Sequence, residues 1–149
     1  MELRLPYWSI APDGVRAMTA LYKYLPECGL EPLLIDLVFL RVSQINGCAY
    51  CVDLHARDAR AKGETERRVN SVVTWREAPF YTPRERAALA WAESLTLIAE
   101  TRAPDEDYEA AKARFSEKEL VDLTLAIGLM NALNRLAVGF RRGPAPEPA

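Results

Sequence analysis

Apolar side chains recur along this chain at intervals of three and four residues, and they never alternate for more than a few positions. That period belongs to helices, so the pattern predicts an all-α fold. Residues 1 to 12 carry two prolines and are expected to form an extended arm. Asp13 is placed to cap a first helix reaching about Tyr24, with Val15, Met18, Leu21 and Tyr22 inward. A second helix is expected from Pro32, well placed at a first helical position, to Gln44. Its apolar residues leave almost no polar face, so it should be buried on more than one side. Asp36 is the one acid in that run, and a buried carboxylate is costly unless paired or functional.

A third helix is expected from Cys48 to about Lys62, ended by Gly63, and a fourth from Glu64 to Trp75 with Val69, Val72 and Val73 inward. Thr82 and Glu85 form a capping-box pattern around Pro83 and open a helix to about Glu100. Its core stripe includes Ala87, Ala88, Ala90, Trp91, Leu95 and Ile98. A short helix from Asp105 to Phe115 precedes a second capping box, Ser116 with Glu119, which opens a long helix to Phe140. Residues 1–142 are thus expected to form one helical domain, and 143–149 a flexible proline-rich tail. The second and last helices are apolar nearly all round. A chain of 149 residues buries few such helices alone, so a homo-oligomer is expected.

Composition narrows the picture only in places. Net charge is −2, which supplies no electrostatic reason to bind nucleic acid or an anionic membrane. The most apolar segment, 121–140, is interrupted by Asp122, Asn131, Asn134 and Arg135, which argues against a membrane span. No apolar run at the N-terminus resembles an export signal, so a cytoplasmic location is expected. In that compartment a CxxC pair points to redox or metal chemistry more than to a structural staple. Cys28, before Gly29, is expected to be a small, semi-buried residue.

The chemistry concentrates in Gln44-Ile45-Asn46-Gly47-Cys48-Ala49-Tyr50-Cys51-Val52-Asp53-Leu54-His55. Asn46-Gly47 is a helix stop, since Gly adopts positive φ without a Cβ clash. Beyond it, Cys48, Cys51 and the chain's single histidine, His55, follow at spacings of three and four. On a helix they share a sector of roughly 60°. A helix N-terminus or a neighbouring imidazole favours thiolate, and a second thiol can resolve an oxidised first one as a disulfide. Cβ atoms three apart on a helix are about 5–6 Å apart, so the first turn must tighten to close that bond.

Three other readings are open at this point. The cysteines can be buried and inert. Cys48, Cys51 and His55 can bind zinc with Asp36 as fourth ligand, although a second ligand pair of the usual kind is missing. A thioredoxin-like motif would require a βαβ pattern, which is absent here.

Together with Asp36, twelve residues before Cys48, this stretch resembles the AhpD-like alkylhydroperoxidases of the carboxymuconolactone decarboxylase superfamily. The likeness continues through Asp58-Ala59-Arg60, Lys62-Gly63-Glu64, Trp75-Arg76, Ala78-Pro79-Phe80-Tyr81 and Glu85 to Trp91, and covers roughly residues 10 to 140. The resemblance implies an all-α fold assembling as trimers or hexamers. It also implies thiol-dependent reduction of hydroperoxides, with a thiol or dihydrolipoamide-type reductant and neither cofactor nor metal. It implies the roles as well: Cys51 attacks the peroxide, Cys48 resolves it, and Asp36 and His55 relay the proton. Asp36 stands where glutamate is usual, and Tyr50 where some members have a second histidine. The alternatives are a non-catalytic oligomeric redox sensor and a decarboxylase-type enzyme; the decarboxylase branch lacks the cysteine pair. Placement in a first turn is expected to expose Cys48, so Cys48 is expected to meet the external reductant and Cys51 the peroxide.

Overall fold

The computed structural model describes residues 2–146 and is all-helical over them. The last three residues of the expected flexible tail lie outside the described residues. The chain begins with three short helices, α1 (Tyr7–Ile10), α2 (Pro12–Thr19) and α3 (Leu21–Tyr24). The expected extended arm is therefore partly helical. Pro6 precedes α1, and the Arg4 N–H donates to the Phe140 carbonyl across 2.9 Å, which ties the segment to the end of the last helix. Asp13 lies inside the first turn of α2 and does not cap it; Ala11 holds that position and Pro12 starts the helix.

α4 (Pro32–Ile45) runs through the middle, packed by α5 (Ala49–Ala61), α7 (Pro83–Thr96) and α10 (Glu117–Gly139). Its two sides serve two clusters. Leu37 and Leu40 pack with Val69, Val72, Trp75, Ala78, Tyr81 and Leu89. Val38, Phe39 and Val42 pack with residues of α7 and α10. Most of the apolar circumference of α4 is thus covered by its own chain. α10 differs. It buries Leu123, Ala126, Ile127 and Met130, while Val121 is 59% exposed and Leu125 41%. By length and composition alone α10 could cross a membrane, but half of its apolar stretch is packed inside the fold.

The fourth expected helix is shorter than its pattern. α6 (Glu66–Ser71), capped by Thr65, gives way to a 3-10 turn, Val72–Thr74. Tightening the winding there turns Val73 out to solvent, against expectation, while Val69 and Val72 are buried. Both capping boxes form, at Thr82 with Glu85 and at Ser116 with Glu119. α7 stops at Thr96, before the expected end. A one-turn α8 (Ile98–Thr101) follows, and Arg102 and Ala103 take left-handed φ of 58° and 47°. The break leaves Ile98 exposed instead of in the core stripe. α9 (Asp105–Lys112) then leads to α10. Beside the core, Glu93 accepts from Arg41 at 2.7 Å, from Trp75 at 2.9 Å and from Arg76. Burial opposes its ionisation, yet these donors hold its carboxyl below the usual range.

Candidate functional site

The site is built at the corner between α4 and α5. Gly47 takes φ +66°, the left-handed conformation that lets the chain leave α4 in one step. The Asn46 amide donates to Asn131 and to Asn134 of α10, each across 3.0 Å, and Asn134 donates to the Ser43 hydroxyl at 3.1 Å. The Cys48 N–H donates to the Ser43 carbonyl at 3.0 Å. The corner is thereby pinned from below by the last helix.

Cys48 is the N-cap of α5, with φ −86° and ψ 91°, and is not its first helical residue. That extended backbone is what brings its sulfur over the first turn. The Cys51 N–H donates to the Cys48 Sγ across 3.3 Å. The two cysteines form a disulfide, with Cα atoms 5.3 Å apart. Cys48 is 1% exposed, which overturns the expectation that the first turn would expose it. Cys51 is 4% exposed and lines a cavity of about 150 Å³. Of the two cysteines, Cys51 is the one that lines the cavity. Cys28 is free and fully buried, packed in the core rather than semi-buried.

His55, 3% exposed, stands between two spaces. Its ring lines the Cys51 cavity and also a second cavity of about 370 Å³, which holds Asp36, Asp58 and Lys62 among apolar walls. Phe39 packs against the ring at 5.0 Å between centroids. The Nδ1 atom is buried without a hydrogen-bond partner among the described residues, 3.9 Å from an Asp58 carboxylate oxygen. Burial pushes the imidazole down to about 4, with Asp58 opposing and Lys62 adding to the fall. The ring is neutral at ordinary pH.

Asp36 is 4% exposed and takes an ion pair from the Lys62 ammonium at 2.5 Å. Burial raises its carboxyl above the ordinary range; Lys62 opposes the rise without cancelling it, and Asp58 adds to it. Tyr22, on the same wall, is pushed up to about 12 by burial, with Tyr50, Asp58 and Asp36 adding to the rise. It stays a neutral phenol. Asp36, His55 and Asp58 bring one donor atom each within 4.8 Å of one another, a donor set that suits a divalent cation. The Lys62 ammonium already pairs with Asp36 there. The zinc set of Cys48, Cys51, His55 and Asp36 loses both sulfurs to the disulfide.

All four expected residues thus meet around one corner. Sequence reasoning missed Asp58 and Lys62, although they fall three and seven residues after His55 and so on the same helical face. Tyr22 and Arg142 reach the site from distant parts of the chain. Arg142 lies in the wall of the Cys51 cavity.

Comparison with known proteins identifies relatives of this fold. The model of the carboxymuconolactone decarboxylase family matches residues 12–94. The uncharacterized protein YdfG of Bacillus subtilis is 41% identical over 140 residues, covering 94% of this chain and 95% of its own. A crystal structure of a protein of unknown function from Agrobacterium tumefaciens, provisionally assigned as antioxidant defence protein AhpD, superposes with a TM-score of 0.94. It is 45% identical and covers 98% of this chain and 100% of its own. The debrominase Bmp8, at 20% identity and a TM-score of 0.79 over 92% of this chain and 74% of its own, shares the fold. The chain belongs to the carboxymuconolactone decarboxylase family, in its AhpD-like group.

Proposed function

We propose that the chain is a thiol-dependent peroxidase that reduces organic hydroperoxides through Cys51 and Cys48. One observation carries this reading. Cys51 and His55 line a single small cavity, and the His55 ring connects that cavity to the buried Asp36. With Nδ1 on the carboxylate side, Nε2 is the nitrogen left for the thiol.

In the reduced protein His55 takes the Cys51 proton, and the thiolate attacks the terminal oxygen of the hydroperoxide. The O–O bond breaks, Cys51 becomes a sulfenic acid, and the departing alkoxide takes a proton from the imidazolium to leave as an alcohol. Cys48 then attacks the sulfenic sulfur. The S–S bond forms, the Cys48 thiol proton passes to the Asp36 and Lys62 relay, and the hydroxide that leaves takes a proton back from that relay as water. A dithiol of the dihydrolipoamide type restores both thiols and is itself oxidised to a disulfide. Since Cys51 is the cysteine that lines a cavity, the reductant attacks there and Cys48 leaves as thiolate. This reverses the expected division of labour, in which Cys48 met the reductant.

A reducing compartment such as the cytoplasm suits a pair that must be re-reduced after each cycle. The exposed apolar side chains of α10 support assembly into a trimer or hexamer. The test is steady-state consumption of tert-butyl hydroperoxide by the purified protein with dihydrolipoamide. Many turnovers per protein are expected. A single stoichiometric oxidation with no further consumption would favour a redox sensor instead.

A further inference from the structure

The Cys51 cavity holds one cation whose charge nothing described nearby balances. Arg141 takes a left-handed φ of 57° just past α10, and the Arg142 N–H returns to the Ala137 carbonyl at 2.8 Å. This turn folds the Arg142 side chain back against α5 and α1. Its guanidinium lies 3.9 Å from the Tyr50 ring centroid and 4.8 Å from that of Trp8. Nη2 donates to the Tyr50 hydroxyl at 2.7 Å, and Nη1 to the Tyr7 hydroxyl at 3.3 Å. Both acceptors are tyrosine hydroxyls. Among the described residues no carboxylate pairs with Arg142; Arg86 also lacks one but spends its donors on the carbonyls of Trp75, Ala78 and Arg76, whereas the Arg142 side chain meets only the two hydroxyls.

A half-buried charge against apolar walls is costly until an opposite charge meets it. A guanidinium has five N–H donors in a planar fork that fits a carboxylate. Here the phenols and ring faces hold the fork in place and leave donors unspent. The rest of the wall includes Val15, Leu54, Met130 and Leu133, and Cys51 lines the same space. At about 150 Å³ the cavity is small for a binding site.

We infer that Arg142 is a specificity residue, and that the cavity takes small hydroperoxides bearing a carboxylate, the carboxylate on Arg142 and the peroxide on Cys51. This rests on the peroxidase reading above and adds the class of substrate to it. A plain structural clamp, or a cation that only stabilises the Cys51 thiolate, would give no such preference.

A matched pair of peroxides separates these roles. In 3-hydroperoxy-3-methylbutanoate a carboxylate replaces one methyl hydrogen of tert-butyl hydroperoxide. At low salt the wild-type protein should favour the anion at least tenfold in kcat/KM, and added salt should reduce the ratio. Arg142→Met should bring the ratio to about one whatever the absolute rates, and Arg142→Lys should keep part of it. No preference in the wild type, or an undiminished preference in Arg142→Met, overturns the inference. A second readout needs no turnover: quenching of Trp8 fluorescence, with Trp8→Phe as the blank, by 3-hydroxy-3-methylbutanoate against tert-butanol. Saturable, Arg142-dependent quenching by the anion alone, in a protein that consumes no peroxide, keeps this site and removes the peroxidase. Turnover without preference keeps the peroxidase and removes this site.

Discussion

The sulfur of Cys48 accepts the backbone N–H of Cys51 across 3.3 Å, so one cysteine caps the helix that carries the other. When the disulfide opens, a thiolate on Cys48 keeps a helix N-terminal donor, which makes it the better leaving group. Cys51 is the cysteine that lines the cavity. On the proposed peroxidase reading, attack by an external thiol is expected at Cys51.

Exchange with a small aromatic disulfide tests that direction. Cys51 in the Cys48→Ser variant should form a mixed disulfide faster than Cys48 in Cys51→Ser, by an order of magnitude or more. Serine also caps helices, so α5 should persist in Cys48→Ser. Equal rates, or faster exchange at Cys48, would return the reductant to Cys48.

Asp36 is buried, its carboxyl raised by burial and held by Lys62. Asp36→Asn keeps the size and removes the titrating group. General acid–base help is worth roughly 10²–10⁴ in rate, so kcat/KM for a hydroperoxide should fall within that range. Lys62→Met should lower it less, because Asp36 can still carry a proton. Full activity of Asp36→Asn across the pH range would remove the relay.

His55 gives stability a pH dependence of known sign. Its folded value lies near 4, below the ordinary 6.5, so between those values the unfolded chain binds a proton that the folded one does not. Above about pH 6.5 the residue contributes nothing to the slope. As pH falls toward about 4 the folded state loses up to roughly 3 kcal/mol, at about 1.4 kcal/mol per unit. Asp36 acts oppositely. Its folded value is raised, so its contribution is present at low pH and is lost as pH rises through that value. Urea unfolding of wild type and His55→Gln isolates the histidine, since Asp36 is common to both. The wild type should lose more stability between pH 6.5 and 4; parallel curves would contradict a buried, neutral His55.

Val121 and Leu125 stand one turn apart on the outer side of α10, beside a groove lined by Trp91 and Tyr108. Sedimentation should find a trimer or hexamer at micromolar concentration, and Val121→Glu with Leu125→Glu should lower the assembly mass. A monomeric wild type removes the oligomer.

Much of this arrangement is legible in the sequence, and the failures have local causes. Capping boxes at Thr82 and Ser116 and the stop at Gly47 depend on neighbouring residues alone, and each forms as its spacing predicts. Cys51 and His55 share a face as the helical period requires, while Cys48 joins them from the N-cap through extended backbone. Val73 and Ile98 escape the core because the helices around them end early, in a 3-10 turn and a left-handed break. No apolar period records those changes. The burial of Cys48 depends on Asn46 reaching Asn131 and Asn134, and the cavity wall depends on Arg142 folding back over Tyr50. Those contacts span 85 residues or more and leave no mark on local spacing.

The attack of Cys51 on peroxide is tested most directly by sulfenic-acid labelling after one equivalent of hydroperoxide. In Cys48→Ser the label should appear rapidly on Cys51 and persist, since the resolving thiol is gone. In Cys51→Ser no fast label should appear on Cys48, which is shut from the cavity. Fast labelling of Cys48 in Cys51→Ser, with none on Cys51 in Cys48→Ser, would contradict the account and make the helix-capping cysteine the peroxide's target.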